Sequence, residues 1–471
     1  MTAALLSHPC MSQDALKDCR DADFIASMLA FELALVRAQE RIGAVPPGTA
    51  ADMAERLEHH AFDVDELARG VASGGNPAIP FVKAGRGALP DHLKRYWHHG
   101  ATSQDVVDSA LMHLLTPRLG AIDGLLERCR TAGMALMRTH ADTPMVGRTL
   151  MQQALPITFG AKVAQWTVGL EQARRRLGEV ADQGLPVQFG GAVGVHSGWG
   201  DEGMALMQAI AQELGLSCPI LPWHTNRQPI HTLQTALDAV AGAVENLALD
   251  VSLLTQTEVG EVSEPSAPGM GESSSMPHKR NPVRCALIRS SARRLHGHTS
   301  VVLGAVAQPL ERGLGEWHAE WVPLTESVLL VEGALEQAAV LLEGLEIHPE
   351  RMAANLAVTG GAIMAEPVAR LLTPSLGPER AKALAADAAE QARQQGRRYA
   401  DVLVSLVQEG GDAVNGGADA STDTSTAASS HASPHDSTLP SAEAIRAATD
   451  PALYIGSSKH QVRAALEWLQ R

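Results

Sequence analysis

The stretch Gly260–Pro282, GEVSEPSAPGMGESSSMPHKRNP, lies between two long helical patterns and has no periodicity of its own. Its prolines remove backbone donors, and Gly269 and Gly271 widen the accessible backbone angles, so a buried strand is excluded. The stretch therefore predicts an exposed, mobile loop. Such a long loop is uncommon in a compact domain unless it carries a function or is disordered.

The polar residues of this loop are suited to binding an anion. Ser273 and its two serine neighbours can exchange protons, Lys279 supplies a positive charge, and Asn281 can both donate and accept hydrogen bonds. These types favour machinery for an anionic substrate. A solvated Ser/Gly-rich linker is the alternative, and composition alone leaves both open.

The composition of the whole chain limits the classes of partner. The 471 residues carry 53 acidic and 38 basic side chains, a formal net charge of −15, which argues against nucleic acid and anionic membranes. A small anion would need a local basic pocket, which Lys279 and Arg280 can provide. Five widely spaced cysteines indicate neither a disulfide framework nor a zinc site. With no signal-peptide pattern and no membrane-length apolar run, we expect a soluble cytoplasmic protein.

Apolar periodicity predicts an all-α chain, because alanine is abundant and strand-like alternation is almost absent. One helix is predicted from Phe24 to Ile42, and another from Asp105 to Thr139 with a kink or early break at Pro117. Between Thr232 and Glu258 apolar residues recur at alternating steps of four and three, which indicates a helix in a long bundle. This pattern does not tell whether the partner helices belong to the same chain. The heptad positions of this helix are Leu233, Leu237, Val240, Val244, Leu247, Val251 and Leu254.

Two further polar blocks precede predicted helices or turns. In His99–Asp105, HGATSQD, Thr102 or Ser103 could cap the following helix, either as an ordinary cap or to face a bound anion. The adjacent histidines at 98 and 99 give little support for a metal site, because neighbouring side chains rarely point the same way. Gly147–Pro156, GRTLMQQALP, is the second block.

Three isolated histidines and one low-complexity segment complete the pattern. His196, His224 and His318 stand in polar stretches, and each is more simply interpreted as a structural histidine than as a catalytic one. Residues 410–440 are rich in Gly, Ala, Ser, Thr and Asp, so we expect a disordered insertion inside a small C-terminal helical domain.

The decapeptide from Ser273 to Pro282, SSSMPHKRNP, resembles the signature loop of the fumarase/aspartase superfamily, Ser-Ser-x-Met-Pro-x-Lys-x-Asn. His99–Asp105 and Gly147–Pro156 resemble the other two signature blocks of that superfamily. The resemblance implies that Ser273 is the catalytic serine. It also implies a set of substrate-binding residues, namely Thr102, Ser103, Lys279, Asn281, His99, Arg148 and Gln152. Glu272 departs from the pattern, since the superfamily has a glycine before the serine.

The same resemblance implies an architecture. It predicts three helical domains at residues 1–105, 106–350 and 351–471, with a homotetramer whose sites are shared between subunits. No metal and no organic cofactor is expected, and the partner would be a small polycarboxylate.

Leu150 occupies the position where the superfamily has a histidine that acts as an acid. Expelling an amine benefits from a general acid, whereas a carboxylate leaves without that help. The chain therefore resembles most closely a branch that interconverts lactones and unsaturated polycarboxylates, and we expect a cycloisomerase. An adenylosuccinate-lyase-like enzyme and a noncatalytic structural protein on the same scaffold are the alternatives.

Overall fold

The computed structural model describes residues 4–266, 269–272, 275–415 and 439–471. The chain forms two compact units, each built from several segments. Unit 1 comprises residues 1–132, 169–252 and 265–344, and unit 2 comprises residues 133–168, 253–264 and 345–471. The three-domain division of the sequence analysis stays a prediction.

Helices account for nearly all regular structure in the described residues, so the all-α prediction is confirmed. In chain order they are α1 Ala4–Ser7, α2 Gln13–Asp18, α3 Asp21–Arg41, α4 Thr49–Leu57, α5 Val64–Gly74, α6 Ala78–Ala88, α7 Asp91–Lys94, α8 Ser103–Thr139, α9 Phe159–Gln183, α10 Glu202–Leu214, α11 Gln228–Leu254, α12 Val283–Ala305, α13 Glu316–Glu343, α14 Pro349–Ala357, α15 Ala365–Leu376, α16 Pro378–Gln395, α17 Tyr399–Asn415, α18 Ala442–Ala448 and α19 Ser458–Leu469. The strands are β1 Pro144–Thr149, β2 Gln152–Thr158, β3 Val262–Ser263 and β4 Glu346–Ile347, which pair antiparallel as β1–β2 and β3–β4.

Helix α8 runs without interruption through Pro117, so the early break expected there is wrong. The flanking Leu115 and Leu119 are both buried. Their packing stabilises the helix on both sides of the proline, which offsets the hydrogen bond that proline cannot donate.

The predicted heptad positions of α11 are all buried, and six of the seven belong to unit 1. Leu233, Leu237 and Val240 are completely buried, and the remaining four positions are at most 5% exposed. On α13 the same pattern buries Leu324 and Leu335. The periodicity read from the sequence therefore identifies the core-facing side of these helices.

Side-chain contacts fix the direction of each long helix in unit 1. Helix α12 runs antiparallel to α13, since Arg284 donates to Gln337 near the start of α12 and Gln308, just after its end, donates to Glu320. Helices α8, α11 and α13 all begin around Asp108, which accepts from Arg227 and from Trp317. The bundle thus has an Asp108 end, where α8, α11 and α13 begin and α12 finishes, and an Arg284 end, where α12 begins.

Unit 2 contains both strand pairs of the described ranges, of which the β1–β2 hairpin is the longer. Strand β3 lies inside the stretch Gly260–Pro282 and its Val262 is buried, so the expectation that this stretch holds no buried strand is wrong at its first residues, which precede the prolines. The hairpin has a bulge between Val146 and Arg148, where a side chain on Gly147 would lie 2.8 Å from the carbonyl oxygen of Leu155. The two strands have only six and seven residues and are interrupted by the bulge, so their alternation of apolar and polar residues is too short to be recognised in the sequence.

The C-terminal helices α15, α16, α17 and α18 pack around a second apolar cluster that includes Val368, Leu372 and Leu403. Helix α17 extends to Asn415, so the start of the expected insertion at residue 410 was placed too early. The rest of that segment, 416–438, lies outside the described residues.

Among the residues of known placement, no single helix has the length and hydropathy of a membrane span. One pair of consecutive helical segments, Pro349–Ala357 and Ala362–Leu376, has this length and hydropathy when the two are taken together, but they are bent by 76° relative to each other.

Candidate active site

The start of α8 is organised by the carboxylate of Asp105, which is completely buried. Its Oδ2 accepts from the backbone amides of Thr102 at 3.0 Å and Gly191 at 2.9 Å. Its Oδ1 accepts from the amide of Gly190 at 3.0 Å and from Nε2 of His224 at 2.7 Å. Asp105 therefore ties the block before α8 to the turn that follows Phe189.

A buried ionic group lies one turn further along α8. The guanidinium of Arg227 is 1% exposed and contacts the carboxylates of Asp108 and Glu320, each at a closest distance of 2.7 Å. Burial disfavours the Arg227 cation, but attraction by Asp108 and Glu320 outweighs it and holds the pKa of Arg227 above its ordinary value. These pairs join the starts of α8 and α11 to α13 at the Asp108 end.

Thr102 and Ser103 are half-buried at the beginning of α8. The first amides of a helix also present a partial positive charge. A 37-residue helix that begins at these hydroxyls is suited to holding a carboxylate.

The neighbouring histidines point to different partners. His98 has a φ of 57° and places Nδ1 2.6 Å from the buried carboxylate of Glu32, while the exposed His99 stacks edge-on against Trp199. Burial lowers the pKa of His98. The negative charge of Glu32 and its hydrogen bond raise the pKa by more, so the net change is an increase. Their divergence fits the low support given to a metal site.

The second block forms the β1–β2 hairpin in unit 2, and Arg148 lies on β1. Its guanidinium makes a bidentate ion pair with Glu261 at 2.8 and 2.9 Å, and Glu261 has no exposed side-chain surface. Asn355 donates to the same carboxylate at 2.7 Å, and Gln153 donates to the carbonyl of Asn355. Arg148 is thus occupied by its own chain, and its role as a substrate ligand stays a prediction.

The tip of this hairpin is exposed, apolar and in an unfavourable backbone conformation. Leu150 and Met151 have φ values of 49° and 65°, and they are 97% and 70% exposed. Two-residue hairpin turns with positive φ strongly prefer Asn and Gly, because side chains such as leucine are strained there. Gln152, the remaining predicted ligand of this block, is exposed beside the tip.

The signature loop is closed at its base. The amide of Asn281 donates to the carbonyl of Gly271 at 2.9 Å, and Glu272 forms a backbone bridge with Arg280. Gly271 has a φ of 73°, and a Cβ there would meet the Asn281 oxygen at 2.6 Å, so this position requires glycine.

Lys279, which follows this base in the signature loop, is exposed. Ser273, the predicted catalytic residue, lies outside the described residues. Glu272, the unusual neighbour, belongs to the closed base rather than to a helix or long strand.

Within unit 1 the predicted ligands occupy opposite ends of the bundle. Thr102 and Ser103 lie at the Asp108 end, whereas Lys279 and Asn281 directly precede α12 at the Arg284 end. The 23 residues of α12 span about 35 Å, far beyond the reach of a small polycarboxylate. One copy of unit 1 therefore does not bring these two sets of ligands together.

Sequence reasoning gave no role to Asp105 or Glu261 and treated His224 as a structural histidine. The sequence offered one indication of their importance: Asp105 ends the block His99–Asp105, and Glu261 lies in the stretch Gly260–Pro282. Their function depends on partners more than 80 residues away, so spacing alone does not reveal it.

Comparison with known proteins gives a consistent result. A profile of the lyase family matches residues 31–297. The chain is 44% identical over 395 residues to the nitrosuccinate lyase of Streptomyces davaonensis, covering 81% of this chain and 83% of that protein. It is 37% identical over 477 aligned positions to the 3-carboxy-cis,cis-muconate cycloisomerase of Bradyrhizobium diazoefficiens, covering 100% of both chains. The crystal structure of the 3-carboxy-cis,cis-muconate lactonizing enzyme from Pseudomonas putida has a TM-score of 0.88, with 35% identity and 99% coverage of both chains.

Proposed function

The chain belongs to the lyase family, and from that premise we propose that it converts 3-carboxy-cis,cis-muconate to a carboxymuconolactone. One observation carries the proposal: a cycloisomerase matches the chain from end to end, and a lactonizing enzyme has the same fold. The superfamily expected from the three blocks and the cycloisomerase class expected from Leu150 are thereby confirmed.

As fully protonated acids the substrate and the lactone are isomers, but between the ionised forms the ring closure consumes one proton, because the carboxylate that becomes the ester loses its charge. One carboxylate oxygen of the substrate adds to a carbon of its own double bond, and the π electrons move into the neighbouring carboxylate as an aci-carboxylate dianion. Ser273 gives its hydroxyl proton to the carbon beside that carboxylate, and the serine oxygen then recovers a proton from solvent. Ring closure is favoured because both reacting groups belong to one molecule.

Thr102 and Ser103 hold one substrate carboxylate in this scheme, and Lys279 and Asn281 hold the developing dianion. Fixed donors aimed at a developing charge commonly contribute several kcal/mol to transition-state stabilisation. The exposure of Lys279 supports this role, because an accessible ammonium can reach a bound anion.

The residues at the hairpin tip support a reaction whose leaving group departs without a general acid. In the reverse direction the lactone opens by expelling a carboxylate, a stable anion, and neither Leu150 nor Met151 can donate a proton. Amine expulsion, as in an adenylosuccinate-lyase-like enzyme, would require another acid at this position.

We further propose that each active site is assembled from several copies of this chain in a homotetramer in the cytoplasm. The support is the separation of Ser103 from Asn281 along the bundle of unit 1. A second copy running in the opposite direction brings an Asp108 end beside an Arg284 end, as closed symmetric assemblies of helical bundles allow.

A second candidate activity is elimination of nitrite from a nitrosuccinate-like dicarboxylate, because a nitrosuccinate lyase is 44% identical to this chain. Nitrite is also a stable leaving anion, so Leu150 is compatible with it. In both reactions a proton is transferred at the carbon beside a carboxylate. The leaving group differs: nitrite in the elimination, and the lactone carboxylate in the reverse of the cycloisomerisation.

The deciding experiment follows the ultraviolet absorbance of 3-carboxy-cis,cis-muconate after addition of the purified protein, with nitrosuccinate and adenylosuccinate in parallel. Loss of the diene absorbance with the highest kcat/KM supports the cycloisomerase. Preferential nitrite release from nitrosuccinate replaces it by the second candidate, and preferential turnover of adenylosuccinate contradicts both.

Ser273→Ala tests the proton donor within this reaction. We expect a loss of at least about a hundredfold in kcat with unchanged circular dichroism, since general acid–base catalysis commonly contributes this much. Ser275→Ala in the same loop is the matched control and should keep activity. Normal turnover by Ser273→Ala removes this serine from the mechanism.

A further inference from the structure

Asp105 and His224 form a buried pair for which the proposed chemistry has no step. Asp105 has no exposed surface and His224 is 4% exposed, so neither can touch the substrate without rearrangement. The carboxylate nevertheless bonds two separate backbone segments, the block at Thr102 and the turn at Gly190 and Gly191.

The hydrogen bonds define the state of both groups. Four donors converge on Asp105, two on each oxygen, which uses the full acceptor capacity of a carboxylate. Because the carboxylate oxygen accepts, Nε2 of His224 carries the proton. Nδ1 is buried without a hydrogen-bond partner, and a proton on it would be a buried donor with no acceptor. The geometry therefore assigns a proton to Nε2, which donates to Asp105.

The imidazole also fills a space that glycines create. A Cβ on Gly190 would lie 3.0 Å from Cε1 of His224, and one on Gly194 would lie 3.3 Å from Nδ1. The ring is thus held between the glycine turn and Asp105.

We infer that His224 is a positioning residue: through Asp105 it fixes the distance between the Thr102 block and the Gly190–Gly191 turn. Asp105 would otherwise lose its one side-chain donor and could turn toward another rotamer, releasing both segments. The expected loss of substrate binding rests on the proposed function, in which Thr102 and Ser103 hold a substrate carboxylate. The expected release of the two backbone segments does not depend on that function.

Two variants of His224 and one control test this role. His224→Phe keeps a planar ring and removes the donor, whereas the amide of His224→Gln can restore a donor to Asp105. His113→Phe is the control, because His113 is a histidine of α8 that hydrogen-bonds Ser27 rather than Asp105. Circular dichroism and the melting temperature establish that each variant is folded.

Amide hydrogen exchange gives the readout that is independent of activity. In His224→Phe we expect peptides covering 100–105 and 188–192 to exchange about fivefold faster, the effect of weakening one net hydrogen bond, while α12 peptides keep their rates. His224→Gln should return most of the protection. Wild-type exchange in His224→Phe, or faster exchange spread evenly over unit 1, overturns the inference, as does unfolding of both His224 variants.

Kinetics test the consequence for binding. We expect KM for 3-carboxy-cis,cis-muconate to rise about tenfold in His224→Phe with kcat changed less than about threefold, because binding of the carboxylate is affected more than the chemistry. His113→Phe should keep both constants. An unchanged KM in His224→Phe overturns the positioning role in binding. A wild-type protein that does not convert this substrate refutes the proposed function instead, and the exchange experiment still decides the inference.

Discussion

Two buried carboxylates, Asp105 in unit 1 and Glu261 in unit 2, each hold one predicted site block, and they do so by different means. Asp105 is bound by three backbone amides and the imidazole of His224. Glu261 is bound by the guanidinium of Arg148 and the amide of Asn355. A carboxylate held by amides depends on the backbone around it, whereas one held by an arginine depends on a single charge.

The largest effect that this contrast predicts is on stability. Arg148→Met leaves Glu261 buried without a cation, and we expect a loss of about 3–5 kcal/mol in the free energy of unfolding. Urea denaturation measures it. Arg370→Met is the control in unit 2, because its ion pair with Glu366 is exposed and should contribute less than about 1 kcal/mol. Equal losses in the two variants would contradict the buried-charge explanation.

Asp105→Asn should have the second-largest effect. The amide nitrogen of asparagine cannot accept, so the two donors that bind one oxygen lose their acceptor, at a cost of about 1–3 kcal/mol each. Activity should fall further than stability suggests, because the Thr102 block moves. Asp123→Asn, an exposed change on the same helix α8, is the control for the unfolding and kinetic measurements. If Asp105→Asn kept full activity, this carboxylate would have no positioning function.

The hairpin tip beyond Arg148 should respond in the opposite direction. Replacing Leu150→Asn and Met151→Gly supplies the residues that positive φ favours, so we expect a gain of about 1–2 kcal/mol in stability. Turnover should decrease if the apolar tip contacts substrate. Thermal unfolding and steady-state kinetics check both, and a less stable double variant would show that the observed backbone angles carry no strain.

The smallest effect concerns pH. Because Glu32 raises the pKa of His98 in the folded protein, this pair stabilises fully below the unfolded value near 6.5 and less as pH rises through the folded pKa. His98→Gln should therefore flatten the fall in stability as pH rises above about 6.5. Burial lowers the pKa of His113, so His113→Gln should change the slope in the opposite sense. Identical curves for wild type and His98→Gln would refute the assignment.

Much of the fold was accessible from local pattern. The α11 heptads identified the buried face of that helix, because a period near 3.6 places those residues on one side whatever their partners are. The three site blocks were recognisable because their residue types are unusual and close together in the sequence. Ser273, Thr102, Ser103, Lys279 and Asn281 keep their predicted roles as proposals.

The tertiary structure alone decided which groups hold these blocks and how far apart they lie. Asp105 meets Gly190 and His224 only after distant segments pack together, and Arg148 proved to be paired with Glu261, 113 residues further along the chain. The sequence by itself determined helical periodicity and local chemistry, since both depend on neighbours a few residues away. The separation of Ser103 from Asn281 depends on the direction of whole helices, which no local pattern encodes.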